Sequence, residues 1–176
     1  MSVSTKIDVK NIVSILLEGA SLGSFVFHTH FQLNFYCQVG KKIGEKEIPR
    51  EVRLSILSDW WFGDKEEWDK TVKKMTKEFA FIEPEEPVLA FKLAALRWSE
   101  GSVIRSTKLS SEKLEIIFEC GESITILNND EEDCAWELHE LNKENFDNCW
   151  SVLCGRGEYI LIYAKMINMK VITIVM

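Results

Sequence analysis

The sequence has little of what marks several common protein classes. Three prolines, 46% hydrophobic residues and 28% charged residues over 176 positions exclude disordered, collagen-like and low-complexity chains. The longest apolar run, 167–176, is too short to span a membrane and contains Lys170. The first residues lack the basic, apolar and small-residue regions of a signal peptide. We therefore expect a single domain over 1–176 that acts in the cytoplasm and binds no membrane.

Positive charge is also scarce. The chain has 21 Lys and Arg residues against 28 Asp and Glu residues, which gives a formal net charge of −7. A protein that binds the phosphate backbone needs an excess of basic residues, so nucleic acid is not an expected partner. The five cysteines are odd in number and show no CxxC spacing, which predicts reduced and mostly buried thiols.

Recognised catalytic motifs are missing as well. The sequence contains no P-loop, GxGxxG, GxSxG, HExxH or EF-hand pattern. The run Gly155-Arg156-Gly157 separates two predicted strands, which is more typical of a hairpin turn than of an anion site. We therefore predict no catalytic residue, no metal site and no cofactor.

Hydrophobic periodicity predicts both helices and strands. Helical spacing covers 9–18, 64–79 and 88–98, and the last helix follows Pro87 and is apolar nearly all round, so we expect it to be buried. Residues 25–37 alternate with period two, as one long strand or a hairpin. Further strands are predicted over 52–56, 103–109, 114–120, 123–127, 135–141, 150–154, 159–163 and 171–175. The predicted fold class is α+β, mainly antiparallel sheet with a few helices.

The alternation over 25–37 also predicts which side chains face the core. One face carries a set of apolar residues that we expect to be buried: Phe25, Phe27, Phe31, Leu33 and Phe35. The other face carries His28 and His30, which we expect to be more exposed.

The chain resembles itself at two places. LEGASLGSFVF followed by LNFYC (17–37) aligns with SEGSVIRSTKL followed by LEIIFEC (99–120). A second alignment places Ile56 on Ile126 and Trp68 on Trp136. Gene duplication, with halves of about 13–80 and 95–163, is one interpretation, and it predicts two similar β-rich units bridged by the buried helix 88–98. Independent use of similar hairpins is the other.

The most uneven feature of the sequence is acidic charge. Ten carboxylates lie between residues 119 and 147 with a single base, Lys143. The residues lack the spacing of a calcium loop, so they form either a solvated face or a surface that meets a basic partner. On the second interpretation, the predicted partner-binding residues are Asp130, Glu131, Glu132, Asp133, Glu137 and Glu140.

The second half of the chain resembles a known class of proteins at these residues. It has a strand pair of the pattern L-x-x-x-F-x-x-G-x-x-L, from Leu114 to Ile124, with Ile124 in the last leucine place. An acidic stretch then precedes a W-E-L strand at Trp136, and a C-G-x-G turn begins at Cys154. Over 101 to about 163, this is similar to small immunity proteins encoded beside polymorphic bacterial toxins. The resemblance implies a cytoplasmic protein that binds a cognate, basic toxin domain and neutralises it by contact, without catalysis.

The alternative function is a small metal- or ligand-dependent enzyme. His28 and His30 are two residues apart, which places both imidazoles on one face of a strand. Such a pair could bind a transition metal if a third ligand came from elsewhere in the chain. The sequence shows no such ligand, because Cys37 falls on the opposite face of a straight strand.

Overall fold

The computed structural model describes residues 9–27, 30–43, 46–79, 85–128, 134–141, 148–155, 158–165 and 170–174. The helices in these ranges are α1 (Val9–Leu17), α2 (Lys65–Phe79) and α3 (Glu85–Arg97). The strands of the first half are β1 (Ser21–Phe27), β2 (Phe31–Tyr36), β3 (Lys42–Ile43), β4 (Lys46–Glu47), β5 (Glu51–Ile56) and β6 (Trp60–Phe62). Those of the second half are β7 (Ile104–Leu109), β8 (Lys113–Phe118), β9 (Ser123–Leu127), β10 (Trp136–Glu140), β11 (Asn148–Gly155), β12 (Glu158–Lys165) and β13 (Lys170–Ile174).

The strands form antiparallel sheets, as the α+β prediction required. The larger sheet has seven strands in the order β1-β2-β5-β10-β11-β12-β13, and a second sheet has four in the order β6-β9-β8-β7. Strands β3 and β4 form a separate two-stranded ribbon. None of the helices among the described residues has both the length and the apolar character needed to cross a membrane.

Residues 25–37 form a hairpin rather than one long strand, and the predicted core face is confirmed. Phe31, Leu33 and Phe35 are buried, while Phe25 and Phe27 are partly buried against the same core. Within β2, the alternating residues Gln32, Asn34 and Tyr36 are more exposed. Period-two alternation predicted this because successive side chains of a strand point to opposite faces.

Helix α2 follows from local signals in the sequence. The Asp64 carboxylate accepts a hydrogen bond from the backbone N–H of Glu67 at 3.0 Å, which caps the first turn. Trp68 and Val72 are buried on one side. On the solvent side, Lys65 and Asp69 form an ion pair at 2.6 Å.

The two sheets exchange a strand at one place. Strand β6 leaves the first half and pairs with β9, while β10 leaves the second half and pairs with β5. The pairing is reciprocal, because Trp136 lies opposite Ile56 and Trp60 lies opposite Ile126. Each half therefore completes the sheet of the other.

This reciprocity corrects one detail of the self-alignment. Trp60, and not Trp68, occupies the position equivalent to Trp136, because Trp68 lies on α2. The placement of Ile56 on Ile126 agrees with the pairing. The error arose because β6 has only three residues, which is too short to show a period-two pattern.

The first strands of the two halves meet in an equally symmetric way. Ser21 forms an isolated antiparallel bridge with Val103, its aligned residue. Leu22 N–H donates to the Ser102 carbonyl at 3.1 Å, and Ile104 N–H donates to the Ala20 carbonyl at 2.8 Å. Both strands also have a register shift at the aligned place, after Leu22 in β1 and after Ile104 in β7. These correspondences support duplication, which remains a hypothesis.

Helix α3 departs from the expectation of a fully buried helix. Leu89 and Leu93 are buried, but Phe91 is 77% exposed and Trp98, directly after the helix, is 82% exposed. The prediction was wrong for this side because, among the described elements, α3 packs mainly on β1 and α2 through its Leu89 and Leu93 side. An apolar surface therefore faces outward.

Candidate binding surfaces

The predicted acidic site lies only partly within the described residues. Asp130, Glu131, Glu132 and Asp133 are outside them, whereas Glu137 and Glu140 are on β10. Residues 129–133 connect the end of β9 to the residues just before β10. The structure fixes both ends of this connection.

A buried polar network holds the first of these ends. Asn128 is fully buried, and its side-chain oxygen accepts a hydrogen bond from the indole N–H of Trp136 at 2.8 Å. Its amide nitrogen donates to the Ser110 carbonyl at 2.7 Å, and its backbone N–H donates to the Glu112 carbonyl at 2.8 Å. One side chain thus joins the β7–β8 turn to the start of β10.

The second end is held by backbone hydrogen bonds. The Ala135 carbonyl accepts from the N–H groups of Leu57 and Ser58, each at 3.0 Å, and the Ala135 N–H donates to the Cys154 carbonyl at 2.7 Å. The described residues that flank 129–133 in the sequence are therefore both held in the core.

Two further exposed carboxylates belong to residues that bond to this same end of β9. The Asp59 carbonyl accepts from Leu127 N–H at 2.9 Å, and the Glu112 carbonyl accepts from Asn128 N–H, so both residues adjoin the start of the acidic connection. One exposed base, Lys113, is paired with Leu127 across the sheet. The backbones of two acidic residues, Asp59 and Glu112, therefore lie next to the end of β9.

Glu137 and Glu140 do not share one face of β10. Glu137 lies on the outer face, where its carboxylate accepts a hydrogen bond from the Ser151 hydroxyl at 3.0 Å. The same carboxylate oxygen is 3.5 Å from Nδ1 of His139, the next residue on that face. Glu140 alternates with these residues and is opposite Val52, a core residue. Only Glu137 of the pair belongs to the outer surface of the large sheet.

A row of polar side chains crosses this outer face. Asn34 Nδ2 donates to Ser24 Oγ at 2.7 Å, and Arg53 Nε donates to Asn34 Oδ1 at 2.9 Å. Arg53 is paired with His139, and His139 with Ser151, on the next strands. The polar row joins β1, β2, β5, β10 and β11. Sequence reasoning missed it because each residue is an ordinary polar member of its own strand, and only the register between strands brings them together.

The alternative enzyme hypothesis rests on His28 and His30, of which the structure describes one. His30 is exposed and precedes β2, while His28 is outside the described residues. The part of the chain that the structure describes contains no group of three His, Cys, Asp or Glu side chains arranged to hold a metal ion. The geometry adds no ligand to the pair.

A groove between α1 and β7 is a further concave feature. It has a volume of about 500 Å³ and is lined by Lys10, Asn11, Ser14, Thr107, Lys108 and Leu109. Lys108 forms an ion pair with Glu115 at 3.4 Å, and the Glu18 carboxylate accepts from Thr107 N–H at 3.0 Å. The groove thus combines cations with neighbouring carboxylates and does not concentrate charge of one sign.

Four of the five cysteines have described side chains, and these four are reduced thiols, as predicted. Cys37 and Cys154 are buried, Cys134 is partly buried and Cys120 is exposed. Burial raises the pKa of the Cys37 thiol to about 12, since the thiolate would lose its hydration. Nearby Lys41 opposes this effect but does not overcome it.

Thiol labelling of the native protein should follow this pattern. At pH 8, we expect iodoacetamide to modify Cys120 fast and Cys37 only at the rate of unfolding, because the thiolate is the reactive form. Because the Cys37 pKa is higher in the folded state, its contribution to stability is complete below about pH 9 and falls as pH rises towards 12. Mass spectrometry of the peptides measures the labelling, and Cys37→Ser is the control. Equal labelling rates for the two cysteines would contradict the burial argument.

The structure defines an α+β protein with a row of polar side chains on the outer face of its large sheet. No protein-family model, curated protein or solved structure matches the chain. What it does is therefore inferred from its own residues and their arrangement.

Proposed function

We propose that this chain is an immunity protein, which binds a cognate bacterial toxin domain in the cytoplasm and neutralises it by contact, without catalysis. The resemblance over 101–163 points to this function. The fold supports a contact surface here called the acidic end, which is the place where Asn128 and Ala135 join the acidic run 130–133 to the described chain.

The observation that carries the proposal is the anchoring of Asn128 and Ala135, the described residues that flank the acidic run 130–133 in the sequence. Asn128 and Ala135 are fully buried and hydrogen-bonded on either side of four consecutive carboxylates. Confinement of like charge costs free energy through mutual repulsion unless solvent or an opposite charge compensates it. A basic partner would supply that compensation.

Such a surface acts mainly on the speed and selectivity of association. Complementary charge steers the encounter and can raise the association rate by roughly 10- to 1,000-fold at low salt. A toxin domain with a basic substrate groove would be attracted to the acidic end and blocked there. The partner named by this chemistry is a cationic protein domain.

Charge reversal tests the proposal. We expect the triple substitution of Asp130, Glu131 and Glu132 by Lys to slow association with the toxin domain encoded beside this chain and to abolish protection on co-expression. Glu137 is left unchanged because it bonds to Ser151 within the sheet. Stopped-flow association at several salt concentrations and survival of the co-expressing cells are the readouts.

A matched control carries the same charge change elsewhere. Glu66, Glu67 and Glu78 are exposed on α2, and their replacement by Lys alters net charge equally. The proposal expects this variant to protect like the original chain. Full protection by the 130–132 variant at equal protein level would remove the acidic end from the mechanism.

A further inference from the structure

We propose that the groove between α1 and β7 binds an extended acidic peptide, which adds to the outer edge of β7 as a further strand. This goes beyond the proposed function and does not depend on it. The groove, here called the β7 groove, has a volume of about 500 Å³, within the roughly 300–1,000 Å³ of typical ligand sites. Its walls are formed by Lys10, Asn11 and Ser14 of α1 and by residues 107–109 of β7.

Strand β7 is the last strand of the four-stranded sheet, so one of its edges faces away from β8. At the start of this edge, Gly19 N–H donates to the Ile104 carbonyl and Ile104 N–H donates to the Ala20 carbonyl, each at 2.8 Å. These are bonds of the kind that join neighbouring strands. The pairing does not continue, because the preceding residues 9–17 form α1.

A carboxylate occupies the next donor on this edge. Thr107 N–H donates to a Glu18 carboxylate oxygen at 3.0 Å, and the Thr107 hydroxyl is 3.4 Å from the same oxygen. The Thr107 N–H therefore points away from β8, although Thr107 is paired with Ile116 of that strand. The Glu18 oxygen takes the place that the carbonyl of an added strand would occupy.

Leu109 carries the open backbone groups of the edge. Outward and inward groups alternate along a strand, so Leu109, two residues after Thr107, also directs its N–H and C=O away from β8. The turn agrees with this, because Ser110 N–H belongs to the inward set and donates to the Lys113 carbonyl at 3.0 Å. Within the described ranges, no residue forms a hydrogen bond with the backbone of Leu109 on this outer side. An edge of this kind is a template for a further strand.

The side chains around the β7 groove favour an acidic peptide. Of the six lining side chains, Lys10 and Lys108 are cationic and none is anionic. Two neighbouring carboxylates are already bound by groove residues, Glu18 as described above and Glu115 by Lys108 at 3.4 Å. Leu109 adds an apolar contact. Since opposite charge selects partners and side chains alternate along a strand, a peptide with alternating acidic and apolar residues matches the groove.

Titration of the isotope-labelled full chain with the blocked peptide acetyl-Val-Glu-Val-Glu-Val-amide tests the proposal. We expect the amide signals of Thr107 and Leu109 to shift most, and exchange of the Leu109 amide proton to slow. The same peptide methylated at every backbone nitrogen lacks the donors of a strand. Its dissociation constant should be at least roughly 10-fold higher.

Replacement of one backbone donor provides a second measurement. Leu109→Pro removes the outward N–H and keeps the pairing with β8, since proline is accepted at an edge position whose N–H faces away from the sheet. We expect it to raise the dissociation constant of the Glu peptide roughly 5- to 10-fold relative to Leu109→Ala, which also loses the leucine side chain but keeps the N–H. Equal affinities for these two variants would overturn strand addition. If Leu109→Pro does not fold, the methylated peptide decides the same question.

Charge reversal tests the preference for an acidic peptide. Lys10→Glu combined with Lys108→Glu should weaken binding of the Glu peptide and favour the same peptide with Lys in place of Glu. Lys73→Glu combined with Lys77→Glu, at exposed sites on α2, is the matched control and should leave the preference unchanged. No binding at millimolar peptide, equal binding of the methylated peptide, or an unchanged preference after reversal in the groove would overturn the proposal.

Discussion

Replacing Trp136 by Ala should lower the free energy of unfolding by about 3–5 kcal/mol, the usual cost of removing a buried large side chain. Trp136 is fully buried, and it lies between Ile56 of β5 and Cys154 of β11. It is also a donor to the buried Asn128 side chain at 2.8 Å. The substitution therefore opens a cavity and removes a hydrogen bond at the strand exchange. A loss of this size is a large fraction of the total stability of about 5–15 kcal/mol expected for a domain.

Urea unfolding followed by fluorescence and circular dichroism would measure this effect. Trp136→Phe separates its two causes, since Phe keeps most of the ring volume but lacks the N–H. Trp98→Ala is a matched control, because Trp98 is 82% exposed, and at low protein concentration it should change stability by less than about 0.5 kcal/mol. Equal losses for Trp136→Ala and Trp98→Ala would show that Trp136 does not hold the core together.

Much of the fold was predictable from local patterns, because helix spacing, helix caps and strand alternation each depend on residues close together in the sequence. The spacing of Val9, Ile12, Val13, Leu16 and Leu17 predicts α1, and all five are buried. Asp64 predicts the start of α2, and it caps that helix. The Phe-rich alternation predicts the core face of the first hairpin, because side-chain direction in a strand depends only on position along it.

The connection between the two halves was not predictable in the same way. Trp60 and Trp61 lie in a three-residue strand that is defined by its partner β9 rather than by its own sequence. The two-residue strands β3 and β4 pair locally, and they were missed because each is too short to show a period-two pattern. Pairing between strands distant in sequence depends on the whole fold, so the propensity of each segment does not predict it.

The candidate surfaces likewise have features that the local sequence predicts and features that depend on long-range contacts. The sequence alone revealed the acidic charge of 130–133, since charge is a matter of composition. It did not reveal that the backbones of Asp59 and Glu112 bond to the end of β9, because these residues come from other turns of the chain. Periodicity predicted that α3 is apolar all round and led to the wrong conclusion about its burial, since a helix pattern does not specify whether the partner lies within the chain or outside it.

Equivalent core substitutions in the two halves should lower the free energy of unfolding equally. Each variant should still unfold in one cooperative transition. Phe35 of β2 and Phe118 of β8 occupy corresponding places, next to the register shifts of their hairpins, and both are buried. We expect Phe35→Ala and Phe118→Ala each to cost about 3–5 kcal/mol of unfolding free energy. Phe91→Ala, at a 77% exposed site, provides the matched control.

The exchange of β6 and β10 makes the cooperative part of this prediction specific. Because β10 completes the sheet that contains Phe35 and β6 completes the sheet that contains Phe118, neither half can unfold without removing a strand from the other. Both variants should therefore unfold in one transition with an unchanged denaturant slope, at a lower midpoint. Native-state hydrogen exchange of the β2 and β8 amides should report the same opening free energy in each variant. A Phe118→Ala protein that loses the four-stranded sheet first, with β2 still protected, would show that the halves are independent despite the exchanged strands.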